Sequence, residues 1–166
     1  MAGLHNYNGT VWFIKKFNSE SKKKLIVLLF KGIDYFTETW LNDKYLGLHE
    51  GYFQKFSYDV SSIIKPKNNL LIIKVISPLE EPGPVWPLKK NLIKGIFNHH
   101  DCRPGGWSYK YGQDRNTGGI WNDVILNYRN NIFIRSLKIS SKVNFEINKA
   151  IVTTDIYYLS NQKLKR

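Results

Sequence analysis

Residues 25–75 read LIVLLFKGIDYFTETWLNDKYLGLHEGYFQKFSYDVSSIIKPKNNLLIIKV, and this stretch decides the fold. Leu25–Phe30 is a continuous apolar run of strand length, the pattern of a strand buried on both faces. Thr37–Leu41 and Lys44–Leu48 flank Asn42-Asp43, two residue types that tolerate the positive φ of a tight hairpin turn. Gly47–Gly51, with His49 and Glu50 inside it, reads as a turn, and Tyr52–Tyr58 as an aromatic-rich strand. Asp59 is placed to cap a short helical turn over Val60–Ile64. Leu70–Val75 reads as a second strand of the fully buried type. Short strands at regular spacing, with no helix of any length, predict an all-β sandwich.

The wording of this stretch goes further than its periodicity. FKGIDYFTETWLNDKYLGLHEGYFQKFSYDVSSIIK followed by NNLLIIKV resembles the N-terminal sugar-binding domain of glycoside hydrolase family 2, which contains β-galactosidases, β-glucuronidases and β-mannosidases. Upstream, Val11-Trp12-Phe13-Ile14-Lys15-Lys16-Phe17 is similar to the family's opening strand. Downstream, Gly118-Gly119-Ile120-Trp121-Asn122-Asp123-Val124 is similar to its closing strand. Asp43 departs from the family's usual Gly, and Asp is still a permitted hairpin residue. The resemblance implies a jelly-roll β-sandwich of the galactose-binding type over residues 1–130. It also implies an immunoglobulin-like sandwich as the next domain.

The composition suits one packed domain. Of 166 residues, 42% are hydrophobic and 14% aromatic, enough for a core. No run of 18 or more apolar residues is present, so no transmembrane helix is expected. The opening MAGLHNYNGT has no basic region followed by an apolar core, so a signal peptide is not expected. Cys102 is the single cysteine, which excludes an internal disulfide. These features together favour a cytoplasmic protein. The net charge of +12 invites a nucleic-acid or anionic-surface reading. No zinc-finger spacing, helix-turn-helix pattern or aromatic RNA-binding signature accompanies it, so neither nucleic acid nor membrane is expected as a partner.

Between Val75 and the closing strand, Ile120–Asn127, lies a long segment rich in Pro and Gly. It also holds Trp86, Phe97, Trp107, Tyr109 and Tyr111. Long loops in compact domains are functional or disordered, and disordered segments are poor in aromatics. The segment therefore reads as an ordered loop decorating one end of the sandwich, with Leu88–Ile96 a short helix or strand. After a linker, Arg129-Asn130-Asn131, two alternating strands, Ile134–Val143 and Lys149–Leu159, flank a turn at Asn144–Asn148. The resemblance makes residues 131–166 the start of an incomplete immunoglobulin-like sandwich, and hence the chain a fragment. The other reading is that both strands extend the first sandwich.

Glycoside hydrolysis uses two carboxyl groups about 5 Å apart in retaining enzymes or about 6.5–9.5 Å apart in inverting ones. The resemblance places both on a later (β/α)₈ barrel, for which this chain has no βα repeats, so no catalytic residue is assigned here. It also implies that the long loop reaches the barrel mouth and touches the terminal sugar. Asp114 is then the candidate acceptor for sugar hydroxyls, Arg115 and Asn116 are candidate donors, and Trp107 is a stacking platform. The competing role for Asp114 is to order the loop by bonding nearby backbone amides. His99-His100-Asp101-Cys102, if extended, points two ligands to each side, short of the three or four a zinc site needs. Because the loop is polar and aromatic, His99 and His100 are read as structural or as candidate sugar contacts, and neither metal nor cofactor is expected. The implied partners are a β-glycoside's terminal sugar and the remaining domains of the same enzyme, with a homo-oligomer compatible. The sequence thus points to a non-catalytic accessory domain that braces a catalytic barrel and lends it a loop. The alternative is a free-standing carbohydrate-binding module, which requires an exposed aromatic platform.

Overall fold

The computed structural model describes residues 7–19, 24–78, 92, 96–97, 102–103, 107–108, 112–113 and 118–162. Every regular element among them is a β-strand. The opening alternation becomes β1 (Gly9–Phe17) and the apolar run β2 (Leu25–Phe30). There follow β3 (Ile33–Asp34), β4 (Phe36–Leu41), β5 (Lys44–Glu50), β6 (Phe56–Asp59) and β7 (Asn69–Ser77). Two short ladders come from the long loop: β8 (Ile96–Phe97) with β9 (Cys102–Arg103), and β10 (Trp107–Ser108) with β11 (Gly112–Gln113). The chain closes with β12 (Gly119–Ile120), β13 (Val124–Arg129), β14 (Ile132–Asn144) and β15 (Lys149–Ser160).

Two sheets face each other, one of four strands in the order β1-β7-β4-β5 and one of three in the order β13-β2-β6. Ile26, Leu28 and Phe30 of β2 meet Leu41 of β4 and Leu71, Ile73 and Val75 of β7 in a single core, with Ile33 and Val60. Phe30 is fully buried and stacks on Phe56, ring centroids 4.6 Å apart and 6° from parallel. Leu25 and Val27, on the opposite face of β2, are also fully buried, so the two-sided burial expected of that run holds. β7 differs. Its residues alternate between buried and half-buried, so only Asn69, Leu71, Ile73, Val75 and Ser77 face the core. Leu70, Ile72 and Ile76 belong to an outer face that is apolar for another reason, taken up below.

The polar groups around Asn42 and Asn69 are heavily bonded, whereas the hydroxyls of the fully buried Thr37 and Thr39 have no hydrogen-bond partner among the described residues. Asn42 and Asp43 form the β4–β5 turn with φ of 48° and 66°, as their residue types predict. Asn42 Nδ2 donates to Ile63 O and to Asn69 Oδ1, each at 2.9 Å, and Asn42 Oδ1 accepts from Leu70 N at 2.9 Å. Asn69 is fully buried; its Oδ1 also accepts from Lys65 N at 2.8 Å, and its Nδ2 donates to Lys65 O at 2.7 Å. A buried amide left unpaired costs more than its bonds contribute, so this mesh fixes the turn, the 61–65 segment and β7 as one unit. The Asp59 cap is also present: Oδ1 accepts from Ser61 N at 2.9 Å, and the turn closes with Ile64 N donating to Val60 O.

Three boundaries differ from the sequence reading. His49 and Glu50 lie in β5 rather than in a Gly47–Gly51 turn, because the β5 ladder to β4 runs on to Glu50 opposite Phe36. Tyr52 and Phe53 precede β6 in a loop, held by ring contacts with each other and with Trp121 instead of a ladder. The closing strand is two strands: β12 pairs with β3, β13 pairs with β2, and Trp121–Asp123 between them turns the chain from one to the other. The Leu88–Ile96 expectation lies mostly outside the described residues. β14 and β15 pair with each other over their whole length and join neither sheet of the sandwich. Arg135 ties this hairpin to the outer face of the three-stranded sheet, its Nε donating to Ser57 Oγ at 3.2 Å and its Nη2 to Ser57 O.

Candidate functional site

The long loop leaves the sandwich after Ser77 and returns at Gly118, and both feet converge on one residue. Asp34 is fully buried, and its Oδ2 accepts from Ser77 Oγ at 2.8 Å. The β3–β12 ladder sets Asp34 opposite Gly119, so the returning strand is held by the backbone of the residue whose side chain holds the departing one. Tyr35 N donates to Ile76 O at 3.2 Å, one residue before the exit. Gly119 has φ of 101°, and a Cβ there would lie 3.4 Å from Phe13 Cζ, an ordinary contact distance. The backbone conformation, not lack of room, is what favours Gly here. Tyr7, Gly9, Val11, Phe13, Gly118 and Gly119 help line a hollow of about 110 Å³ between the feet.

A second clamp fixes the closing segment. The Trp121 ring lies over Gly32, where a Cβ would come within 2.3 Å of it. The same indole stacks on Tyr52 at 4.9 Å and donates from Nε1 to Tyr52 O at 3.2 Å. Asp123 accepts from Lys31 Nζ at 2.8 Å, and its carbonyl accepts from Lys31 N at 3.0 Å. The Phe-Lys-Gly-Ile-Asp stretch is therefore a receptor for the closing strand: Gly32 makes room for Trp121, and Asp34 joins the loop's two feet.

Of the residues expected to contact sugar, Trp107 lies on β10 opposite Gln113 of β11. Asp114 follows β11 directly; it, Arg115, Asn116, His99 and His100 lie outside the described residues. Among the described residues, no group of three or more His, Cys, Asp or Glu is arranged to hold a metal ion. No helix there is long and apolar enough to cross a membrane.

The sequence reading missed a cleft of about 560 Å³ between the sandwich and the hairpin. It is lined by His49, Lys55, Tyr58 and Arg135 among others. His49 stacks flat on Phe56, ring centroids 3.9 Å apart, and burial pushes its pKa below the ordinary value while Glu50 pulls the other way. Burial pushes the Tyr58 phenol above its ordinary value. The signal available in the sequence was the alternation of β5, which sends His49 inward with Thr37 opposite.

Comparison with known proteins agrees with this architecture. Residues 5–122 match the family described as glycosyl hydrolase 2 galactose-binding domain-like. A mannosylglycoprotein endo-beta-mannosidase of Lilium longiflorum is 29% identical over 124 residues, which is 70% of this chain and 13% of that protein. A beta-glycosidase of Bacteroides vulgatus shares the fold over 94% of this chain and 17% of its own, with a TM-score of 0.55 at 24% identity. So does a beta-glucuronidase of Parabacteroides merdae, over 96% of this chain and 19% of its own, with a TM-score of 0.59 at 15% identity. The chain thus spans a small part of each of these proteins. With the match covering most of its length, the chain belongs to the galactose-binding-like N-terminal domain family of the family 2 glycosyl hydrolases.

Proposed function

We propose that this chain is a non-catalytic accessory domain of a family 2 glycoside hydrolase. In this reading it braces the catalytic barrel and lends it a substrate-contacting loop. The observation that carries the proposal is the junction at Asp34, which joins both feet of the 78–118 segment through Ser77 and Gly119. Fixing both ends of a long loop on a rigid sheet is how a scaffold presents binding residues at low entropic cost. Asp114, Arg115 and Asn116, with Trp107, His99 and His100, are the proposed sugar contacts on that loop. The hairpin β14–β15 is proposed as the first two strands of an immunoglobulin-like domain. Its apolar residues stay exposed on both faces, Ile139 and Ile151 among them, and a two-stranded unit does not stand alone. The barrel and that domain are the proposed partners within the enzyme. β-Mannosides are the first substrates to try, because the lily relative is named as an endo-beta-mannosidase.

The test is Asp114→Ala in the barrel-containing enzyme. A lost hydrogen bond to a charged group lowers kcat/KM by roughly 10- to 150-fold, with the melting temperature unchanged. Unchanged kinetics would remove Asp114 from the site. A parallel fall in activity and melting temperature would leave it only the loop-ordering role.

A further inference from the structure

The outer face of the four-stranded sheet takes no part in the loop junction, yet its composition is unusual for a solvated surface. A sheet with one wet face alternates apolar-in with polar-out. Here the outward positions include Trp12 and Ile14 of β1, Ile72 of β7, Trp40 of β4 and Tyr45 and Leu48 of β5. Trp12 and Tyr45 remain 54% and 55% exposed, and Leu48 65%. A contiguous exposed apolar patch on a folded domain marks a binding surface.

The geometry narrows the partner. Trp12, Trp40 and Tyr45 form a row running across the strands, with ring centroids 5.8 and 5.4 Å apart and planes tilted by 30° and 50°. The register that builds the row is fixed: Trp12 sits opposite Lys74, Lys74 opposite Glu38, and Trp40 opposite both Ile72 and Tyr45. Lys74 and Glu38 pair at 2.6 Å beside the row, and the Lys74 ammonium lies 5.9 Å from the Trp12 ring centroid. These two charges offset each other beside the row, although the whole chain carries +12. The complementary partner is uncharged, with flat C–H faces to lie on the rings and hydroxyls to bond the carboxylate and ammonium beside them. A pyranose has both. The ring spacing is about the length of one sugar unit.

We infer that the outer face of the β1-β7-β4-β5 sheet is a binding strip for a neutral glycan chain, with Trp12, Trp40 and Tyr45 stacking on successive sugars and Lys74 and Glu38 bonding their hydroxyls. The strip shares no residue with the loop and needs no barrel, so its test is independent of the function proposed above.

Affinity electrophoresis of the whole chain tests it, in gels containing soluble glucomannan, galactomannan or hydroxyethylcellulose. At least one gel should retard the chain, and added salt should not abolish the effect. Trp12→Ala and Tyr45→Ala should each weaken retardation about tenfold, the size of one lost stacking contact, with the melting temperature kept. Tyr157→Ala, exposed on the hairpin, should leave it intact. Three results would overturn the inference: no retardation in any gel, retardation that survives the Trp12→Ala/Tyr45→Ala double change, or retardation that salt abolishes. The first is also what a strip covered by another protein surface would give.

Discussion

The Ser77 hydroxyl donates a 2.8 Å hydrogen bond to Oδ2 of Asp34, and both residues are buried. Ser77 is the last residue of β7 and Asp34 the last of β3, so this bond links the exit of the long loop to the strand that receives its return. Ser77→Ala removes the donor and leaves a buried acceptor short of one partner. The expected loss is about 1–3 kcal/mol, read as a lower urea midpoint with an unchanged slope. Stability equal to the parent would mean that the bond does not hold the loop's feet together.

Gly32→Ala places a methyl group within 2.3 Å of the Trp121 ring. Overpacking of this kind costs about 1–3 kcal/mol, because neither the stacked indole nor the β2–β3 backbone can yield freely. In a Trp121→Ala background the same change should cost far less. A double-mutant cycle showing no coupling between the two positions would contradict the clamp.

Much of this was legible in the sequence, for identifiable reasons. The apolar run 25–30 has the length of a buried core strand, and Asn42-Asp43 has the residue types of a hairpin turn. The loop's chemistry was legible only through family resemblance, since Asp114, Arg115 and Asn116 carry no periodic signal. β7 misled because LLIIKV is apolar on both faces, which periodicity cannot tell from double burial; its outer side instead underlies the Trp12–Trp40 row. The split of the closing strand was hidden because Trp121 is a good strand former whose place is set by a distant glycine. The His49–Phe56 stack joins neighbouring strands of different sheets, a relation no local pattern encodes.

Burial lowers the pKa of His49 from its ordinary 6.5, with Glu50 opposing. The unfolded chain therefore binds a proton at a pH where the folded chain does not. The resulting stability is fully present above pH 6.5 and is lost as the pH falls below it. Melting temperature should decline as the pH falls below 6.5, and His49→Phe, which keeps the stack on Phe56, should flatten that part of the curve. An identical slope in the variant would show that other groups carry the pH dependence.

The hairpin should open more readily than the sandwich. β15 pairs only with β14 among the described residues, whereas β7 lies between β1 and β4. Amide exchange at Ile151–Tyr158 should be much faster than at Leu71–Val75. Equal protection would show that the hairpin folds as one unit with the sandwich.

The central claim is that this domain serves a glycosidase without performing its chemistry. The most direct measurement is hydrolysis of nitrophenyl β-mannoside, β-galactoside and β-glucuronide by purified residues 1–166. The account predicts no turnover above buffer with any of the three, because every described element is a strand and the chain has no βα repeats from which to build the barrel. Turnover that disappears when a single carboxylate of this chain is changed would contradict it.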